Sequence, residues 1–115
     1  MTGTAITVSH GSDFFGVDTV SAKAVRELGE YVRGILPAAD REPLARLLET
    51  AGENEQRIDS GQAALFAVLL RRTAASKRLR KQVRELAARL GIAAANAAAD
   101  AEPWTWTIAD EETRS

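Results

Sequence analysis

The sequence contains no cysteine and only one histidine, His10, among its 115 residues. The lack of cysteine excludes disulfides, thiolate chemistry and cysteine-based zinc sites. With a single histidine, a metal site would depend on carboxylates, and Asp13 and Asp18 alone are too few to hold an ion. The sequence also lacks a glycine-rich phosphate loop, a nucleophile elbow and a zinc-binding helix motif. We therefore expect no metal site, no cofactor and no enzymatic activity.

Long hydrophobic runs are also missing. No apolar stretch approaches the roughly 20 residues that cross a bilayer, and the N-terminus lacks the basic and apolar regions of a signal peptide. We expect a cytoplasmic protein with no membrane partner. The chain is 45% hydrophobic and 27% charged, which is typical of globular rather than disordered proteins. Its length predicts a single domain at residues 1–110, followed by a flexible tail at residues 111–115.

The longest apolar run, at residues 63–70, is the centre of the predicted fold. Periodicity alone cannot distinguish a buried strand from a buried helix over such a short run. Asp59 and Gln62 are spaced as a helix N-cap and its capping-box partner, and the run itself is rich in alanine and leucine. We predict a helix at residues 60–74. Because this helix is apolar on nearly every side, we expect other elements to surround it.

Two helices are predicted before this central helix, from apolar residues that recur three and four positions apart. The first follows Ser21 as its N-cap and ends at Leu36, because a residue that precedes proline is displaced from helical geometry. The second follows an N-cap at Asp40 and ends before Gly52. Residues 53–57 are then expected to form a polar surface loop.

The stretch after the central helix allows two interpretations. No glycine or proline falls between Gln62 and Leu90, so one continuous helix of about 45 Å is possible. Because that is long for a domain of this size, we favour a break at residues 73–76 and a second helix at about residues 77–90. The alanine-rich residues 92–101 either continue this helix or form another one.

The two ends of the chain alternate polar and apolar residues, with the period of half-buried strands. The N-terminal strand covers residues 4–10, and residues 103–108 form a C-terminal strand with Trp104, Trp106 and Ile108 on one face. A lone strand cannot satisfy its backbone hydrogen bonds, so we pair the two as an antiparallel ribbon. The predicted fold class is α+β and mostly helical: four to five helices packed around the central helix, with a two-stranded ribbon formed by the termini.

Charge is segregated along a chain whose net charge is −1. Residues 71–89 contain eight basic residues and one acid, whereas the rest of the chain contains seven basic and 15 acidic residues. Such segregation indicates a binding partner or self-association and does not help to predict the fold. The cations that we select as a candidate binding site are Arg71, Arg72, Lys77, Arg80, Lys81 and Arg84.

Several of these cations would share a face of the predicted helix, since Lys77, Lys81 and Arg84 are spaced four and three apart. Like charges at this spacing cost a few tenths of a kcal/mol per pair, which suggests an anionic partner. Three interpretations stay open: a solvated face, a site for nucleic-acid phosphates, and a site for an acidic protein surface, including that of a second copy. Our leading hypothesis is a non-catalytic binding module for an anionic partner, nucleic acid or acidic protein.

A second candidate surface is aromatic, and its members are His10, Phe14, Phe15, Trp104 and Trp106. These side chains could line a contact for a ligand or a protein, although alternating tryptophans also pack in cores. The residues His10, Ser12 and Asp13 do not predict a catalytic triad, because neighbours in a turn usually point apart. We favour a structural role for the histidine.

The ends of the chain carry a resemblance as well. Residues 9–16, SHGSDFFG, together with residues 102–108, EPWTWTI, resemble small uncharacterised proteins of high-GC actinobacteria and their phages. The alanine- and arginine-rich composition is similar to theirs. The resemblance covers fifteen residues at the two ends and implies no activity, so no functional residue is carried over. The alternative hypothesis is a small phage or mobile-element accessory or inhibitor protein that binds a host protein through its aromatic end.

Overall fold

The computed structural model describes residues 4–10 and 18–110 of the chain. The elements in these ranges are β1 (Thr4–His10), β2 (Asp18–Ser21), α1 (Ala22–Ile35), α2 (Ala38–Glu49), β3 (Gln56–Ile58), α3 (Ser60–Ala74), α4 (Lys81–Ala99) and β4 (Trp104–Asp110). The predicted α+β class is confirmed, since the described residues form four helices and an antiparallel sheet. The predicted tail at residues 111–115 lies outside the described residues.

The sheet has the strand order β2-β1-β4-β3, and all neighbouring strands are antiparallel. The predicted pairing of the two terminal strands is confirmed, with Thr4 opposite Asp110 and Val8 opposite Trp106. The short strands β2 and β3 extend this pair on its two sides. The described sheet therefore has four strands where the sequence predicted a two-stranded ribbon.

Strand β3 corrects one detail of the sequence prediction. A polar loop at residues 53–57 is wrong for Gln56 and Arg57, which pair with β4 opposite Trp106 and Thr105. The strand forms because β4 offers an unpaired edge and because Ile58 buries its side chain there, at 8% exposure. A strand of three residues is too short to carry an alternating pattern in the sequence.

One hydrophobic cluster lies between a face of the sheet and the helices. The sheet contributes Ile6, Val8, Trp104 and Trp106, each no more than 2% exposed. The two indole rings meet nearly edge to face, with centroids 5.3 Å apart and planes at 87°, an arrangement that aromatic pairs favour. Burial of such large apolar side chains is the main source of stability for a domain of this size.

Helix α1 has the predicted ends. The hydroxyl of Ser21 accepts a hydrogen bond from the backbone N–H of Ala24 at 3.3 Å, and the helix ends before Leu36. Gly29 lies in its middle because α2 packs against it there: a Cβ atom at this position would lie 3.1 Å from the Cβ of Leu48. The glycine therefore permits close contact between the two helices.

Helix α2 begins earlier than predicted. The N-cap at Asp40 is wrong because Pro37 occupies the cap position, and its carbonyl accepts hydrogen bonds from the N–H groups of Asp40 and Arg41. Asp40 instead lies in the first turn, where a carboxylate is favourable beside the positive end of the helix dipole. The predicted apolar stripe of this helix is buried, and includes Leu44 and Leu48.

Helix α3 spans the predicted residues, and its predicted N-cap is confirmed because Asp59 accepts a hydrogen bond from the N–H of Gln62 at 2.8 Å. The expectation that other elements surround this helix is wrong for one face. Leu65 and Val68 are 47% and 54% exposed, whereas Leu70 is fully buried. The reason is that α3 packs mainly against α4, which covers one side of it.

The predicted break after α3 is confirmed, since residues 75–80 form a connector between α3 and α4. Helix α4 begins at Lys81, later than predicted, and continues through Gly91 to Ala99, so the alanine-rich segment extends it. Gly91 lies where α3 approaches closely, because a Cβ atom there would be 3.4 Å from the Cβ of Leu70.

Candidate functional site

The charged residues of α1 and α2 neutralise one another. The guanidinium of Arg33 donates hydrogen bonds to Glu42 and to Glu49, both at 2.9 Å, and Arg46 donates to Glu42 at 3.3 Å. The hydrogen bonds from Arg33 lower the pKa of both carboxyls. Arg41 donates to the backbone carbonyl of Arg33, near the end of α1. Arg33 and Arg46 are therefore compensated by acids at this part of the surface.

The surface where α3 is joined to α4 carries cations that form no ion pair among the described residues. Seven basic residues gather there, in the last turn of α3, in the connector and at the start of α4. We call this surface the basic end, and it consists of Arg71, Arg72, Lys77, Arg78, Arg80, Lys81 and Arg84. Six of these side chains are exposed and Arg84 is half-buried.

The cations are brought together by a turn rather than by one helix face. Lys77 and Arg80 precede α4, so the prediction that Lys77 shares a helix face with Lys81 and Arg84 is wrong. The connector follows its own path because Leu79, 5% exposed, anchors it in the core. Lys81 and Arg84 do lie on α4, three positions apart.

Ion pairs are absent from the basic end within the part of the chain that the structure describes. By contrast, Arg33 and Arg46 form ion pairs with acids of α2. The Nε atom of Arg84 is buried and has no hydrogen-bond partner there. A buried donor left unsatisfied costs about 1–3 kcal/mol, and like charges close together repel. An anion bound at this surface would offset the repulsion between the exposed cations.

The first turn of α4 adds hydrogen-bond donors to the basic end. Arg80 is its N-cap residue, makes no side-chain cap hydrogen bond, and is followed by no acid in the first turn. By contrast, α1 and α3 are capped by the side chains of Ser21 and Asp59. Uncapped N–H groups at the positive end of a helix dipole favour anions such as phosphate.

Sequence reasoning missed an exposed strip on α3, because eight consecutive apolar residues indicated burial on all sides. We call this strip the outer face of α3, and it consists of Gly61, Ala64, Leu65, Val68, Arg71, Arg72 and Ala75, all exposed. A signal was present in the sequence: Gly61, Leu65, Val68 and Arg72 are spaced four, three and four apart. That spacing defines one side of a helix.

The aromatic candidates are divided between the core and undescribed residues. Trp104 and Trp106 are 0% and 2% exposed, so they present no surface to a partner. Their indole N–H groups are buried without hydrogen-bond partners in the described structure. His10 is described through its backbone alone, which pairs opposite Trp104. Phe14 and Phe15 lie outside the described residues.

A groove of about 790 Å³ lies between β2, the start of α1 and α4. Its lining is partly apolar, with Val20 and Leu86, and its charged side chains carry both signs. The charged residues are Glu27, Arg80, Glu85 and Arg89. Because these charges balance, the groove does not extend the cationic surface.

Residues 4–10 and 18–110 contain neither a metal-binding cluster nor a membrane-spanning helix. No group of three or more histidine, aspartate or glutamate side chains in these ranges could hold a metal ion. No helix in the same ranges is both long enough and apolar enough to pass through a membrane.

The fold and the basic end define a class of small α+β protein, in which helices cover one face of an antiparallel sheet and one helix pair carries unpaired cations. The chain belongs to the family described as "Domain of unknown function (DUF7739)", which matches residues 11–107. The match includes the basic end and the outer face of α3. No curated protein and no solved structure matches significantly. The family match names no organism, so the resemblance to actinobacterial and phage proteins stays a prediction.

Proposed function

We propose that the protein is a non-catalytic binding module whose basic end holds an anionic partner, and that this partner is nucleic acid bound through its phosphates. One observation carries the proposal: the cations of the basic end form no ion pair among the described residues, whereas Arg33 and Arg46 are paired with acids. Unpaired cations gathered at one surface attract phosphate groups and release counterions on binding.

Composition favours nucleic acid over an acidic protein. Interfaces between proteins usually have an apolar centre, and the exposed residues of the basic end and its connector include no large apolar side chain. The uncapped first turn of α4 suits phosphate oxygens. Residues 71–84 contain no aromatic side chain that could stack on a base. We therefore propose contacts with the backbone of a duplex and little preference for sequence.

The test is a titration of the protein with labelled double-stranded DNA of random sequence at about 50 and 200 mM salt. Binding through several phosphates predicts that affinity falls about tenfold or more between the two salt concentrations. Absence of binding at the lower concentration contradicts the nucleic-acid proposal. If the protein does not bind DNA but binds polyglutamate in a salt-dependent way, the partner is an acidic protein.

A matched pair of variants locates the binding surface. In the first, Lys77→Glu and Lys81→Glu reverse two exposed cations of the basic end. In the control, Lys23→Glu and Arg57→Glu make the same change in net charge at exposed positions of α1 and β3. We expect the first variant to lose about tenfold or more in affinity and the control to bind nearly as well as the wild type. Equal losses would show that only net charge matters.

Segregated charge also supports self-association, because acidic and basic surfaces of two copies attract each other. The alternative of a small accessory protein that binds a host protein through its aromatic end receives no support from Trp104 and Trp106, which are buried.

A further inference from the structure

We propose that two copies of the chain associate through the outer face of α3, with the two α3 helices antiparallel. The proposal goes beyond binding of an anionic partner and does not depend on it. It rests on exposed apolar residues, their spacing along the helix, and the distribution of charge around them.

The apolar residues of the outer face are adjacent to one another. Leu65 and Val68 are 47% and 54% exposed and stand three positions apart on the same side of α3. The other large apolar side chains exposed in the described residues lie on different elements from each other, Ile92 on α4 and Ile108 on β4. Single exposed apolar residues are ordinary, whereas neighbours that form a patch indicate an interaction surface.

The spacing of the outer face matches a helix-to-helix seam. Gly61, Leu65, Val68, Arg72 and Ala75 are separated by four, three, four and three positions, which is the heptad repeat of paired helices. A Cβ atom at Gly61 would meet only the Oδ1 atom of its neighbour Asp59, at 3.4 Å. The space over the glycine is therefore free for a side chain of a second copy.

Charge along the seam decides the direction of pairing. Arg71 and Arg72 lie in the last turn of α3, and exposed Asp59 caps its first turn. Parallel helices would place each arginine beside the same arginine of the second copy, which is repulsive. In an antiparallel pair centred between Leu65 and Val68, Arg72 lies over Gly61 of the second copy and its guanidinium reaches Asp59. The opposed helix dipoles favour the same arrangement.

The length of the helix limits the strength of association. Helix α3 has 15 residues and is therefore about 22 Å long. A seam of that length covers less than the roughly 800 Å² per partner of a typical stable interface. We therefore expect a reversible dimer with a dissociation constant in the micromolar range.

The first test is sedimentation velocity on the full chain between about 1 and 500 µM, a range that brackets a micromolar dissociation constant. We expect the wild type to pass from monomer to dimer and Val68→Glu to raise the dissociation constant about tenfold or more, because it places carboxylates in the apolar seam. The control is Ile92→Glu, the same kind of change at an exposed apolar position of α4 that lies off the seam. It should leave the dissociation constant unchanged.

Three outcomes of this test would overturn the proposal: a wild type that stays monomeric throughout, a Val68→Glu variant that associates like the wild type, or equal effects of the two substitutions. Both positions are more than half exposed, so neither variant should unfold, and circular dichroism checks this. A neutral variant, Val68→Asn, should weaken the same seam and leaves the charge of the basic end unchanged. Loss of the dimer and loss of DNA binding can therefore be told apart.

The second test uses the lack of native cysteine to determine the direction of the helices. A chain carrying both Gly61→Cys and Ala75→Cys retains Arg72 and should be cross-linked to dimers by a short bis-maleimide, because antiparallel pairing brings the two positions to within about 5 Å along the helix axes. Each single variant should cross-link poorly, since the same position in the two copies is at least about 16 Å apart along the helices. Efficient cross-linking of the Ala75→Cys variant alone would show parallel helices and contradict the proposal.

Discussion

The two helix pairs of this protein are alike in their packing, but they differ in their ion pairs and in the apolar surface that they expose. In each pair a glycine lets the partner helix approach closely, with Gly29 between α1 and α2 and Gly91 between α3 and α4. The first pair also contains ion pairs, since Arg33 bridges Glu42 and Glu49. The second pair has unpaired cations at one end and an apolar strip on its outer face. We infer that the first pair is structural and that the second is the one available to partners.

The largest expected effect on stability distinguishes the buried face of α3 from its outer face. Leu70→Ala removes a fully buried side chain and should lower the free energy of unfolding by about 2–5 kcal/mol. Leu65→Ala, at a position 47% exposed, should change it by about 0.5 kcal/mol or less in the monomer. Urea denaturation at low protein concentration measures both. Similar losses would show that the outer face is covered in the monomer.

The next effect tests the close packing of the first pair. Gly29→Leu cannot be accommodated beside Leu48 and Glu49, whose nearest atoms lie 3.0–3.2 Å from the position of a Cβ. The substitution should lower the free energy of unfolding by about 1–3 kcal/mol. Gly34→Ala is the control in the same helix, where nothing lies within 4 Å, and it should be neutral or stabilising by about 0.5 kcal/mol. Thermal unfolding of both variants measures these changes. An unchanged melting temperature for Gly29→Leu would show that the close contact between α1 and α2 does not contribute to stability.

A smaller effect concerns the paired charges of α1 and α2. Arg33 holds the pKa of Glu42 and Glu49 below the usual 4.5, so these carboxylates stabilise the fold above pH 4.5 and cease to do so as the pH falls through their lowered values. Arg33→Gln should reduce stability at pH 7 and reduce its decline below pH 4.5. The control Arg71→Gln removes an unpaired arginine and should leave the acid decline unchanged. Melting temperatures measured from pH 7 to about pH 3 test this.

The smallest effect concerns the unpaired cations themselves. Lys77→Gln removes one charge from the basic end and should raise the melting temperature slightly, because it relieves repulsion. Arg46→Gln removes a paired cation from α2 and should lower it slightly. Both differences should shrink in about 1 M salt, where charges are screened within about 3 Å. Changes of the same sign in the two variants would contradict the contrast between the helix pairs.

Elements with local signals could be predicted from the sequence. Ser21 and Asp59 cap their helices through their own side chains, so the starts of α1 and α3 depend on residues within one turn. The start of α2 could not be predicted in this way, because Pro37 acts through its backbone. Strands β2 and β3 have four and three residues and exist through pairing with β1 and β4, which no short pattern indicates.

The candidate site could be predicted in its composition but not in its shape. The charge count identified the basic segment, because residues 71–89 contain eight basic residues and only one acid. Its geometry depends on Leu79, which anchors the connector and places Lys77 ahead of α4. The outer face of α3 was missed because the sequence does not specify which side of an apolar helix the rest of the chain leaves uncovered.

We propose that a partner contacts the α3–α4 pair and not the α1–α2 pair. The most direct test is to follow the backbone amide NMR signals of the ¹⁵N-labelled protein during titration with a short DNA duplex of random sequence at low salt. We expect the largest shifts on residues 71–84 and unchanged amide signals around Arg33 and Glu49. Shifts centred on α1 and α2, or no shifts at all, would contradict this proposal.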